Sequence, residues 1–135
     1  MKEKLFHIGI KAVIVNDDKA LVLRDTNRYE GYDVPGGKID KGETIEQALK
    51  RELKEELGLD NFRVAGLLHA QQRQDYDQDG VKLMLIFYRV EADVTNIQLS
   101  DEHSSHEWVG KESLNSPLFR NEGVKTAISK AFEND

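Results

Sequence analysis

The stretch Gly37-Lys-Ile-Asp-Lys-Gly-Glu43, seven further residues, then Arg51-Glu52-Leu53-Lys54-Glu55-Glu56-Leu57-Gly58-Leu59 limits what this chain can fold into more than any other feature. Gly36 and Gly37 end an extended run from Tyr32 to Pro35, and Gly42 permits a second tight turn. Thr44 supplies a helix N-cap, Gln47 completes the capping-box spacing, and Gly58 stands where a C-cap glycine belongs. The spacing therefore predicts a glycine loop running into an amphipathic helix over Ile45 to Leu57.

At about 100° per residue, Ile45, Leu49, Leu53 and Leu57 spread over an arc of roughly 120° and mark the buried stripe. Glu52, Glu55 and Glu56 fall within a second arc of about 100°, overlapping the edge of that stripe. Carboxylates on a buried edge are expensive unless a cation is near. Lys50 and Lys54 point away, and Glu52 and Glu56 form a like-charge i, i+4 pair whose repulsion in water costs only about 0.2–0.5 kcal/mol. Arg51 can pair with Glu55 one turn later, so a solvated charged helix competes with a cation site when the helix is taken alone.

The complete pattern is more specific. Glycine, five residues, glutamate, seven residues, then Arg-Glu-apolar-x-Glu-Glu-x-Gly-apolar resembles the signature of Nudix hydrolases and matches it without a departure. The flanks look alike too, so the resemblance extends to the whole chain. It implies an α+β fold, an α/β/α sandwich with a mixed β-sheet between helices. It also implies an enzyme that splits a nucleoside diphosphate linked to another moiety, using a divalent metal, usually Mg2+, with Mn2+ as a substitute. Carried over by position, Glu52, Glu55 and Glu56 are the metal- and water-handling carboxylates, Arg51 orients them, and the Gly37 carbonyl is a further metal ligand. Which glutamate is the base varies across the family, and Glu43 is expected to support the loop–helix geometry. Clustered carboxylates on a rigid element agree, because they suit a hard cation that also grips phosphate oxygens.

The resemblance further implies a supplementary acid from a later loop. Three carboxylates on one helix approach a cation from one side only. Glu102, in Ser100-Asp101-Glu102-His103, is the expected ligand, with Asp101 and Glu107 as competitors. A non-catalytic nucleotide sensor of the same fold is the alternative, disfavoured because a sensor need not keep all three glutamates. An interaction domain that binds no nucleotide leaves those acids without a purpose.

A chain of 135 residues with 39% hydrophobic and 33% charged residues is expected to form one soluble domain, residues 1–135. Its net charge of −6 disfavours binding along a nucleic-acid backbone, so no duplex partner is expected. No apolar run spans a bilayer, and Met-Lys-Glu-Lys is not followed by a signal-peptide pattern. A cytoplasmic monomer or homodimer acting on a nucleotide-derived small molecule is the expectation. The absence of cysteine excludes disulfides and cysteine-ligated zinc.

Along the chain, Phe6 to Val15 reads as a strand, Asn16 to Lys19 as a turn, and Ala20 to Leu23 as the return strand. Arg24 to Gly31 reads as an irregular polar loop in which Arg24 and Arg28, with Tyr29 and Tyr32, are placed to hold phosphate or stack on a base. Phe62 to Asp75 reads as a long strand, Asp77 to Gly80 as a hairpin turn, and Val81 to Val90 as a strand crossing the middle of a sheet. A polar loop from Leu99 feeds a short strand at Glu107 to Val109, Glu112 to Leu114 adds a helical turn, and Asn121 to Phe132 forms a closing helix. Asp75, Asp77 and Asp79 lack the rest of a calcium loop. The four histidines are dispersed, without metal-ligand spacing.

For the substrate, ADP-ribose-cleaving relatives tend to carry a proline shortly after the signature, and this chain has only Pro35 and Pro117. Tyr76 lies where dinucleoside-polyphosphate hydrolases tend to carry a tyrosine, and is a candidate substrate contact. The small size also suits an enzyme that removes damaged nucleoside triphosphates.

Overall fold

The computed structural model describes residues 1–25, 29–99, 105–119 and 121–133. The elements run β1 (Phe6–Val13), β2 (Val15–Asn16), β3 (Lys19–Asp25), β4 (Tyr29–Asp33), β5 (Gly36–Lys38), α1 (Ile45–Leu57), β6 (Phe62–Gln78), β7 (Val81–Ala92), β8 (Ser105–Val109), a 3-10 turn (Lys111–Asn115) and α2 (Glu122–Glu133).

Helix α1 has the ends its sequence demands. Thr44 Oγ1 accepts from the Gln47 amide at 3.2 Å while Gln47 Oε1 accepts from the Thr44 amide at 2.9 Å. At the other end Gly58 adopts φ 68° and donates to the Lys54 carbonyl at 3.0 Å. Thr44→Ala removes one arm of that reciprocal cap and is expected to cost about 1 kcal/mol in a denaturant titration. An unchanged midpoint would mean that packing alone fixes the start of α1.

Four strands form a mixed sheet in the order β5-β1-β7-β6, with β1 and β7 parallel and the other pairs antiparallel. A second, antiparallel sheet joins β2, β3 and β4, with β8 also pairing to β3. Successive residues of β7 serve two cores, which is why its sequence is almost continuously apolar. Leu83, Leu85 and Phe87 pack with Val124, Ala127, Ile128 and Ala131 of α2. Ile86, Tyr88 and Val90 lie in the cluster with Ala48, Leu49, Leu53 and Leu57 of α1. The two helices therefore cover opposite faces of the mixed sheet, the α+β sandwich that was expected.

Four local readings need correction. The apolar run from Phe6 does not continue as one strand to Val15: β1 ends at Val13, and Val15 already pairs with Ala20 in the second sheet. Ile14 stays fully buried through that change of sheet, so the pattern shows no break. The Asp17-Asp18 turn closes the hairpin with φ 52° and 60°, matching the twist of the flanking strands. Secondly, Arg24 to Gly31 is not all loop, because β3 extends to Asp25 and β4 starts at Tyr29. Thirdly, Ile45, placed in the buried stripe by its spacing, is 37% exposed. Finally, there are two sheets, not one. No helix among the described residues is long and apolar enough to cross a membrane.

Candidate active site

The site begins with two close approaches of the β5 main chain, of which the one at Gly36 demands glycine. Gly36 pairs with Lys11 of β1 at φ 139°, and a Cβ on it would lie 2.8 Å from the Lys11 Cα. A Cβ on Gly37 would lie 2.7 Å from the Glu52 carboxyl carbon. The β5 main chain is thus laid directly on the acidic edge of α1. From there the Gly36 amide donates to Glu56 Oε2 at 3.1 Å.

Glu52 and Glu56 are 9% and 7% exposed, side by side at the edge of the α1 core. Glu52 accepts from Arg51 Nη1 at 2.6 Å. Arg51 in turn donates through Nε and Nη2 to both Glu43 oxygens at 2.8 and 2.9 Å, and through Nη2 to the Lys38 carbonyl at 3.0 Å. Its fork joins the glycine loop, the start of α1 and the first buried acid, a geometry that suits guanidinium and not ammonium. Glu43 also accepts from the Asp40 amide at 2.7 Å, and hydrogen bonds from Arg51 and then Asp40 hold its carboxyl down to about 2.

Burial pushes the Glu56 carboxyl up to about 8; the Glu52 charge and the hydrogen bond between the two acids add to this, while the Lys11 ammonium and the Gly36 amide oppose it. Lys11 is only 8% exposed and donates to Asp33 at 3.2 Å. The consequence for stability has a definite sign. Folded protein keeps a proton on Glu56 that the unfolded chain releases near its ordinary value of about 4.5. That contribution is complete below about 4.5 and is lost as pH rises through about 8, at no more than about 1.4 kcal/mol per pH unit. In chelator, the melting temperature is expected to fall between pH 6 and pH 9. A rise over that interval would refute a buried, protonated Glu56.

Glu55 stands apart from this pair. Its side chain is 60% exposed and 3.8 Å from Arg51. Among the described residues, no group of three histidines, cysteines or acids converges tightly enough to cage a metal ion. Glu102 and Arg28, with Asp101 and His103, lie outside the described residues. Glu107 is described, and it belongs to a different constellation: Tyr32 donates to its Oε2 at 2.7 Å, and Arg24 Nη1 lies 3.6 Å from Oε1. That bond, and then burial, raises the Tyr32 phenol above its ordinary value. Arg24 and Tyr32 are therefore together, 5.9 Å from guanidinium to ring centroid.

The Tyr76 hydroxyl receives Lys38 Nζ at 2.6 Å. Lys11, Asp33 and Lys38 were not singled out from the sequence. One signal was present, since Lys11 is the only charged residue between Ile8 and Val15. His69 meets Gln71 and Lys130, away from His7 beside Tyr76.

Comparison with known proteins agrees with this architecture. The model of the NUDIX domain matches residues 5–130. An ADP-ribose pyrophosphatase of Methanocaldococcus jannaschii is 35% identical over 59% of this chain and 48% of its own length. An 8-oxo-dGTP diphosphatase of Haemophilus influenzae is 45% identical over 44% of this chain and 46% of its own. The chain thus spans about half the length of the curated relatives it matches. Among solved structures, the Escherichia coli ORF135 protein superposes with TM-score 0.78 at 25% identity, covering 96% of this chain and 91% of that one. A MutT NUDIX hydrolase from Burkholderia pseudomallei gives 0.77 at 26% identity, over 94% and 98%. With the glycine loop, the Arg51 fork and the buried acids all inside the matched span, the chain belongs to the Nudix family.

Proposed function

We propose that this protein is a metal-dependent hydrolase that opens the diphosphate bridge of a nucleoside diphosphate linked to a phosphate, a sugar or a second nucleotide. The observation that carries this reading is the buried Glu52–Glu56 pair, wedged against the glycine loop, with burial pushing the Glu56 carboxyl up. Two carboxylates buried this closely are costly to hold ionised, and a bound cation would lower that cost. The donor set fits a hard divalent ion, because Glu52, Glu56 and the Gly37 carbonyl offer only oxygen; Mg2+ is the expected ion, with Mn2+ as a substitute. Glu55, one turn out, and Glu102 are the acids that would complete its shell. Such an ion supplies charge against the phosphate oxygens and acidifies water.

The chain's own residues do the rest. The water oxygen bonds to phosphorus as the bridging P–O bond breaks. One glutamate of the cluster takes a water proton, and the departing phosphate carries the bridge electrons away. Arg51 fixes the direction of Glu52, and Lys11 sets the charge balance beside Glu56. Arg24 and Tyr32, arranged around Glu107, are the residues best placed among the sequence candidates to meet the nucleoside part.

A hydrolysis screen over nucleotide sugars, dinucleoside polyphosphates, and normal and oxidised nucleoside triphosphates tests the reading, with products identified by mass. Metal-dependent release of a nucleoside monophosphate is expected. Metal-dependent binding of these compounds without turnover would favour the sensor instead. Stability gives an independent check. Mg2+ or Mn2+ is expected to raise the melting temperature by binding the folded state. The gain should be larger at pH 8 than at pH 6, where Glu56 holds its proton. A gain that does not depend on pH would place the ion elsewhere.

A further inference from the structure

Tyr76 was a sequence candidate for direct substrate contact, yet its hydroxyl is already committed. It accepts from Lys38 Nζ at 2.6 Å and donates to Gln78 Oε1 at 2.7 Å. His7 Nδ1 lies 3.3 Å away on a third side. Lys38 Nζ is 4.9 Å from the ring centroid, so the ammonium sits at the hydroxyl rim and not over the aromatic face.

Lys38 is thereby held at both ends. Its carbonyl accepts from Arg51 at 3.0 Å, and it follows Gly37, whose main chain touches Glu52. Its side chain reaches across to the far end of β6. Lys38 also lines a cavity of about 130 Å³ together with Lys11, Asp33 and Arg73; there Lys11 is paired to Asp33 at 3.2 Å and Arg73 to Asp75 at 2.9 Å. With those two cations paired to acids, the Lys38 ammonium, which meets a hydroxyl and not a carboxylate among the described residues, is the charge that marks a place for an anion in a chain of net charge −6. A lysine suits such a role as a compact charge, but its four-carbon stem is mobile, and stilling it at the moment of binding weakens affinity.

We propose that Tyr76 is a positioning residue that holds the Lys38 ammonium ready for a phosphate group of the substrate. This rests on the hydrolase reading above and deepens it. Lys38 binds the phosphate in the ground state and in the transition state alike, so its loss appears in KM and not in kcat. Tyr76 has no contact of its own with substrate, so it acts only through Lys38.

Steady-state kinetics on the best substrate of the screen, with Tyr76→Phe, Lys38→Met, both together, and Lys38→Arg, test the proposal. Lys38→Met is expected to raise KM about tenfold, and Tyr76→Phe about three- to fivefold, with kcat within about twofold of the parent. The double variant should match Lys38→Met, since removing the holder costs nothing once the held group is gone. Lys38→Arg should recover most of the loss by keeping the charge. If Tyr76→Phe lowers the melting temperature, Gln78→Ala at the exposed end of the network is read instead, with a smaller rise in KM. Parental KM in both Tyr76→Phe and Gln78→Ala would overturn the proposal, as would effects of Tyr76→Phe and Lys38→Met that simply multiply. The two readings fail separately: undiminished turnover by Glu52→Gln would sink the hydrolase, whereas loss there with parental KM in Tyr76→Phe sinks only the positioning role.

Discussion

Turnover by a Glu52→Gln, Glu56→Gln double variant is expected to fall at least about 100-fold, with metal dependence lost alongside it. Glutamine keeps the size of each side chain and its place at the buried edge, so the change is confined to charge and proton capacity. In the parent, Arg51 compensates one of the two buried acids at 2.6 Å, and a proton on Glu56 serves in place of the second cation. Removing both carboxylates also removes the reason for a proton or an ion to be there. The double variant should therefore be at least as stable as the metal-free parent at pH 8, and Mg2+ should shift its melting temperature little. Paired assays of hydrolysis and thermal melting, with and without the metal, report both. Full turnover by the double variant would remove the chemistry from this cluster, whatever the fold.

Phe87→Ala is expected to cost about 3–5 kcal/mol, the largest stability loss of any change considered. Phe87 is fully buried on the central strand β7, and its ring edge packs close to Gly123 at the start of α2. Gly123 has no side chain to fill the space, and Val124, Ala127 and Ile128 hold α2 in the same cluster. For a domain whose whole stability is about 5–15 kcal/mol, the melting temperature should drop by roughly 10–20 °C. Phe87 faces α2, while Glu52 and Glu56 lie on α1 across the sheet. The remaining folded protein should thus keep the metal-induced shift of the parent. A loss below about 1 kcal/mol would mean that the α2 side repacks freely, and loss of the metal shift would mean that the two faces are coupled.

What the sequence determined by itself was whatever is decided within a few residues. The span of α1 follows from Thr44, Gln47 and Gly58, because caps satisfy backbone groups one turn away. The hairpin at Asp79-Gly80 follows from residues that accept φ 54° and 84°. The central place of β7 follows from an apolar run too continuous for a strand with one wet face. The Nudix signature likewise named the acids, since its spacing is local. Which acids are buried was a tertiary decision. Glu52, Glu55 and Glu56 share one arc of the helix, yet β5 arrives over Glu52 and Glu56 and leaves Glu55 in solvent. Lys11 could be read only as an oddity in an apolar strand until Asp33 and Glu56 converged on it from two other elements. The sheet change at Ile14 and the turning of Tyr76 toward Lys38 are of the same kind. Each depends on which distant strand covers a face, and a periodicity of two or 3.6 residues carries no record of its partner.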